Sequence, residues 1–114
     1  MMKIYHNYRC RKSRQTLALI QENGITPEII EYLNSPISTL ELASLLEMLN
    51  IKPIQLVRKA EQIWKENFKG KDLSDDEIVN AMVEYPKLIE RPIVVEKGKA
   101  IIGRPPENVL TLFD

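Results

Sequence analysis

The sequence predicts an α/β fold, a mixed β-sheet covered by helices, with a β-α-β half and a β-β-α half separated by a helical segment. Three observations carry that prediction. Short strand-like segments stand near both ends of the chain, at Lys3-Ile4-Tyr5-His6, Ile93-Val94-Val95-Glu96 and Ala100-Ile101-Ile102. Two capping boxes, Ser38-Thr39-Leu40-Glu41 and Ser74-Asp75-Asp76-Glu77, open helical periods in the middle. A length of 114 residues fits one domain, expected over 1–114 with a helical insert at roughly 38–86.

Taken in order, Lys3 to His6 reads as a short strand and Asn7-Tyr8-Arg9 as a loop. From Cys10 the chain turns helical, with Leu17 and Ile20 on one face and Gly24 as its stop. Glu28 to Tyr32 suggests a second strand, and the apolar pair Ile29-Ile30 predicts burial on both faces. After Ser38, the residues Leu42, Leu45, Leu46 and Leu49 recur at helical spacing and belong to a core. Pro53 marks another helix start, followed by Ile54, Leu56 and Val57. Ile63, Trp64 and Phe68 add apolar bulk before Gly70, with Trp64 read as packing. After Ser74, the residues Ile78, Ala81, Met82 and Tyr85 repeat the helical spacing up to Pro86. Lys97-Gly98 is a tight-turn signal between the last two strands. Pro105-Pro106 opens a final short helix with Val109, Leu110 and Phe113. This order is that of a thioredoxin-type fold with helices inserted in its middle.

Composition narrows the partners. With 44% hydrophobic and 28% charged residues the chain is an ordinary globular one, able to bury a core without disulfides or metal. Its 16 basic and 16 acidic residues cancel, which argues against nucleic acid or a membrane surface as partner. No apolar run is long enough to span a bilayer and Met1 to Tyr5 holds no signal-peptide core, so a cytoplasmic location is expected. One Cys and one His are too few for a zinc site, so no metal is expected. No tightly bound cofactor is expected either, and no Gly-rich phosphate loop is present.

The single cysteine stands where a strand hands over to a helix. There, backbone N–H groups and the helix dipole favour a thiolate. Between residues 3 and 14 lie Lys3, Arg9, Arg11, Lys12 and Arg14, and no acid. Helix N-termini and nearby cations are the settings that depress a cysteine pKa. Ser13 completes Cys10-x-x-Ser13, its hydroxyl one turn on and in a position to donate to the sulfur. A serine cannot form a disulfide, so any disulfide chemistry requires a thiol from outside the chain.

These residues carry a resemblance. Tyr5-His6-Asn7-Tyr8-Arg9-Cys10-Arg11-Lys12-Ser13-Arg14 resembles the active-site segment of the ArsC family of arsenate reductases, in which His-Asn-x-x-Cys-x-x-Ser-Arg recurs. Leu56-Val57-Arg58-Lys59, Glu90-Arg91-Pro92-Ile93-Val94-Val95 and Gly103-Arg104-Pro105 resemble that family's three arginine segments, in the same order and at near-family spacing. The resemblance covers essentially the whole chain. It implies a glutathione- and glutaredoxin-linked oxidoreductase in which the cysteine attacks arsenate, glutathione attacks the adduct, and glutaredoxin resolves the mixed species. By position it maps the oxyanion-holding arginines to Arg58, Arg91 and Arg104, places Ser13 with them at the substrate, and makes Pro92 the cis-proline facing the cysteine. His6 and Asn7 follow as secondary residues, one tuning the thiol and one ordering the loop. The protein partner implied is glutaredoxin, and a monomer is expected.

The physical logic stands beside the resemblance. A tetrahedral oxyanion and a thiolate repel one another, so fixed cations must offset that repulsion, and Arg forks fit such oxygens two at a time. Singly, each arginine is otherwise a solvated residue or a partner of nearby acids such as Glu61, Glu90 and Glu107. The loop departs from the best-studied arsenate reductases, with Tyr8-Arg9 in place of Pro-Ala and Arg11-Lys12 in place of Gly-Thr. Two alternatives stand beside arsenate reduction: a glutathione-dependent thiol oxidoreductase on another substrate, and a regulator like the Spx proteins. The Spx proteins share this fold and bind RNA polymerase. Many of them carry Cys-x-x-Cys, and Ser13 here argues against such a dithiol switch.

Overall fold

In the computed structural model, which describes residues 1–113, four strands form one sheet in the order β2-β1-β3-β4. The last position of the expected 1–114 span lies outside the described residues. β1 (Lys3–Tyr5) pairs parallel with β2 (Glu28–Ile30) and antiparallel with β3 (Ile93–Glu96), and β3 pairs antiparallel with β4 (Lys99–Ile102). The parallel β1–β2 connection runs through α1 (Arg11–Glu22), as parallel pairing requires a crossover. The β3–β4 turn has positive φ at both central residues, 50° at Lys97 and 76° at Gly98. That is the requirement of a type I′ hairpin turn, at the place where the sequence signals a tight turn.

Two compact units divide the chain. Met1–Ser35 together with the C-terminal stretch from Arg91 form one, and Pro36–Glu90 the other. In the sheet unit, Ile4 and Val94 sit opposite each other in register and share a face of the sheet. Leu17 and Ile20 of α1 pack there with Val109 and Leu112 of a terminal 3₁₀ helix, Pro106–Leu112. The final helix expected from Pro105-Pro106 is thus present in 3₁₀ form, with Val109 buried and Leu110 45% exposed. The buried positions of α1 are Ser13, Thr16, Leu17 and Ile20, a single i, i+3, i+4, i+7 stripe whose first half is polar. That polar half lies at the Cys10 end.

The second strand corrects the sequence expectation. β2 ends at Ile30, Ile29 is 37% exposed, and Ile30 is only half-buried. β2 is an edge strand, so it lacks the second neighbour that would bury an apolar pair on both faces.

The helical unit holds α2 (Thr39–Leu49), α3 (Pro53–Leu56), α4 (Gln62–Asn67) and α5 (Asp75–Glu84), then a 3₁₀ turn at Pro86–Leu88. Ser38 caps α2 by accepting from the Glu41 N–H, and α5 opens with a reciprocal Ser74–Glu77 capping box. Leu42, Leu45 and Leu46 of α2 and Ile78, Ala81 and Met82 of α5 are buried where these helices pack. Trp64 is 7% exposed and stacks on Phe68 at 5.4 Å between ring centres, which makes it packing. No helix is long and apolar enough to cross a membrane among the described residues.

Candidate functional site

The Cys10 loop is held by its own hydrogen bonds. Beyond β1, the His6 N–H extends the ladder by donating to the Ile30 carbonyl at 2.9 Å. The Asn7 side-chain oxygen accepts from the Arg9 N–H at 3.0 Å, an Asx turn, and the Cys10 N–H donates to the Asn7 carbonyl at 3.0 Å. Arg14 reaches back and donates from Nη1 to the Tyr8 carbonyl at 2.7 Å. Cys10 is the N-cap of α1: its backbone is extended, and its carbonyl accepts the first helical bond, from Arg14 N–H at 3.0 Å. The first turn of α1 carries no acidic residue.

Around the sulfur the chain gathers donors. Arg104 donates from Nη2 to Cys10 Sγ at 3.1 Å, and its Nε donates to the Arg91 carbonyl at 2.8 Å. The second bond fixes the guanidinium plane while the first uses it. Cys10 is 8% exposed, and burial by itself pushes its thiol up. Hydrogen bonds from the Ser13 backbone N–H and the Arg91 side chain, with the charges of Arg104 and Arg91, outweigh burial and bring the thiol below its ordinary value. The Arg91–Pro92 and Arg104–Pro105 peptide bonds are both cis.

Ser13 serves the site in a way its spacing did not suggest. Its backbone N–H reaches the sulfur. Its hydroxyl oxygen lies 2.6 Å from His6 Nδ1 and accepts from the Asn7 N–H at 3.1 Å. His6 is buried and meets the Tyr8 ring edge-on at 4.4 Å. Burial lowers the His6 pKa, Glu31 opposes this and Arg14 adds to it, so the imidazole is held below its ordinary value and stays neutral at neutral pH.

Behind Arg104 lies a contact the sequence did not signal. A Cβ on Gly103 would stand 2.5 Å from Thr16 Oγ1 and 2.8 Å from Pro92 Cγ. Thr16 is fully buried, and its hydroxyl lies within reach of the Lys12 carbonyl at 2.8 Å and the Gly103 carbonyl at 3.3 Å. The Gly103 N–H donates to the Pro92 carbonyl at 2.9 Å. The residue just before Arg104 is therefore clamped between α1 and the start of β3, and only glycine fits. A glycine outside any turn, next to a candidate arginine, was the available signal.

Cys10, Ser13, Arg91, Pro92 and Arg104 thus belong to the sheet unit, with His6 and Asn7 behind the loop. Arg58 belongs to the helical unit. There its Nη1 lies 3.5 Å from Glu61 and its Nε 3.5 Å from Glu90, while its N–H donates to the Leu88 carbonyl at 2.7 Å.

Known proteins resemble this chain over nearly its whole length. The ArsC family model matches residues 5–112. An arsenate reductase of Haemophilus influenzae is 46% identical over 112 residues, covering 96% of this chain and 97% of its own. The Escherichia coli K12 protein YfgD, described as uncharacterized, is 50% identical over 113 residues, covering 97% of this chain and 95% of its own. The solved structure of an arsenate reductase from Vibrio cholerae superposes with a TM-score of 0.94 at 47% identity, covering 98% of this chain and 97% of that one. The fold is a mixed α/β fold of the thioredoxin-like kind.

Proposed function

The chain belongs to the ArsC family, and from that premise we propose that it is a glutathione- and glutaredoxin-dependent arsenate reductase acting as a cytoplasmic monomer. The observation that carries this reading is the Arg104 guanidinium at 3.1 Å from Cys10 Sγ, on a sulfur whose pKa is lowered. A thiolate already paired with a guanidinium can admit a second anion, because the fixed cations offset the repulsion between nucleophile and oxyanion. In the first step the Cys10 thiolate bonds to arsenic and one oxygen of dihydrogen arsenate leaves as water, carrying both of the arsenate's own protons. Negative charge on the remaining oxygens falls to Arg91, Arg104 and the free N–H groups of the α1 start, with Arg58 proposed as the third arginine.

Reduction follows with thiols from outside the chain, since Cys10 is its single cysteine. Glutathione replaces a second arsenic oxygen, which leaves as water. A glutaredoxin thiol then attacks the glutathione sulfur, a disulfide leaves, and the As–S bonding pair stays on arsenic, now As(III). Water releases arsenite and restores the Cys10 thiol. Overall, arsenate and two thiols give arsenite, one disulfide and water.

The test is arsenate-dependent NADPH oxidation, coupled through glutathione, glutaredoxin and glutathione reductase, for wild type and Cys10→Ser. Wild-type turnover that vanishes in the variant is expected, because serine is a far weaker nucleophile in the same place. No turnover in wild type, or turnover kept in Cys10→Ser, would overturn the proposal.

A further inference from the structure

One side of the Cys10 loop opens on a cavity that the steps above do not use. It has a volume of about 390 Å³ and is walled by the residues just before Cys10 and by the turn that begins at Glu31. Small-molecule sites begin at roughly 300 Å³, so the cavity has room for a small peptide. Arg9 and Glu31 both line it, and among the described residues neither belongs to an ion pair. Two opposite charges on one cavity, left unpaired with each other, suit a ligand that carries both charges itself. In the rest of the lining Tyr8 is 52% and Leu33 38% exposed, and the Asn34 amide donates to Glu31 Oε1 at a long 3.5 Å. His6 also lines the cavity, and its buried Nε2 has no hydrogen-bond partner among the described residues.

We propose that this cavity is the subsite for the reducing co-substrate, a zwitterionic peptide thiol of the glutathione class, with its ammonium at Glu31 and a carboxylate at Arg9. The inference rests on the thiol-dependent reductase reading above, for a reason of chemistry. Arg91 and Arg104 are committed to the sulfur and its oxyanion, so the second reactant needs anchors elsewhere. Arg9 is the residue next to the nucleophile in the chain, so the cavity wall ends one residue before Cys10. Once bound, the thiol forms its bond to arsenic and its proton leaves with the displaced oxygen as water, so this step changes no oxidation state.

The experiment has two arms on the full chain. In the first, ¹⁵N-labelled protein is titrated with S-methylglutathione, which cannot react and needs no arsenic chemistry. Saturable shifts at the amides of Arg9, Glu31, Leu33 and Asn34 are expected, and Arg9→Ala and Glu31→Gln should each weaken binding about tenfold. In the second, steady-state kinetics of the same variants should show the KM for glutathione raised about tenfold and the KM for arsenate unchanged. Shifts confined to the Arg104–Pro105 side, no saturable binding, or an unchanged glutathione KM in both variants would overturn the subsite. Wild-type binding without arsenate turnover would keep the subsite and overturn the arsenate reading, and turnover without binding would do the reverse.

Discussion

Two helix starts in this chain use the same physics to opposite ends. α5 begins at Ser74, whose hydroxyl accepts from the Glu77 N–H while the Glu77 carboxylate accepts from the Ser74 N–H, and Asp75 and Asp76 add negative charge to that turn. Its orphan donors and its dipole are satisfied from within. α1 begins at Cys10, which makes no side-chain cap, and its first turn carries no acid while Arg11, Lys12 and Arg14 add positive charge. Its donors and its dipole meet no acid from within, and in the proposed function they serve the Cys10 thiolate and an outside anion. A missing cap is informative when cations replace the expected acids: α1 forgoes at Cys10 the stability that α5 takes at Ser74.

The comparison is broken hardest at Arg104. Arg104→Ala removes a charge-assisted contact worth about 2 kcal/mol, so kcat/KM for arsenate should fall roughly 30-fold. The same variant should move the midpoint of Cys10 alkylation by iodoacetamide upward, since the guanidinium favours the thiolate. In wild type that midpoint should lie below the roughly 8.5 of a free cysteine, as the lowered thiol requires. An equal midpoint in the two proteins would take Arg104 away from the sulfur.

At α5 the corresponding change touches stability alone. Ser74→Ala should cost about 1 kcal/mol in urea unfolding and leave the Cys10 alkylation profile where it was. The effect has a pH signature. The Ser74 backbone N–H and then its hydroxyl hold the Glu77 carboxyl below its ordinary value, slightly opposed by desolvation. The cap's ionic share is therefore fully present above about pH 4.3 and is lost as pH falls through the lower folded value, so the gap between variant and wild type should narrow in acid. A gap that widened in acid would mean the box is not closed by an ionised Glu77.

The smallest change sharpens the contrast by making α1 resemble α5. Arg11→Glu places an acid in the first turn of α1, which should stabilise the helix by about 0.3–1 kcal/mol. The same charge should raise the Cys10 alkylation midpoint by a few tenths. Gains in stability and losses in thiol acidity should therefore appear together in one variant, read by thermal melts and alkylation rates.

What the sequence made legible follows from range. The Ser38 N-cap, the Ser74–Glu77 capping box, the Lys97-Gly98 turn and the apolar periods of α2 and α5 are local, and each appears where its residues placed it. The Asn7 side chain orders its own loop two residues on, also a local act. The burial of β2 was misjudged because it depends on which strand lies beside it, and β2 has a neighbour on one side only. The partner of the Ser13 hydroxyl lies seven residues back, across a loop whose path the sequence does not show. Gly103 meets Thr16, 87 residues away in the chain, so its lack of a side chain could not be read as a fit. Arg58 meets Glu61, its neighbour in sequence, and also Glu90, which the fold of the helical unit brings to it from far along the chain.

The lone thiol has a consequence for how this protein can be watched. With Cys10 the single cysteine, the chain cannot be oxidised by closing a bond within itself. Every oxidised form must carry additional atoms, whether arsenic, a peptide thiol, a partner protein or oxygen. Each stage of the cycle therefore has its own mass, and intact-protein mass spectrometry of a quenched reaction would order the intermediates directly.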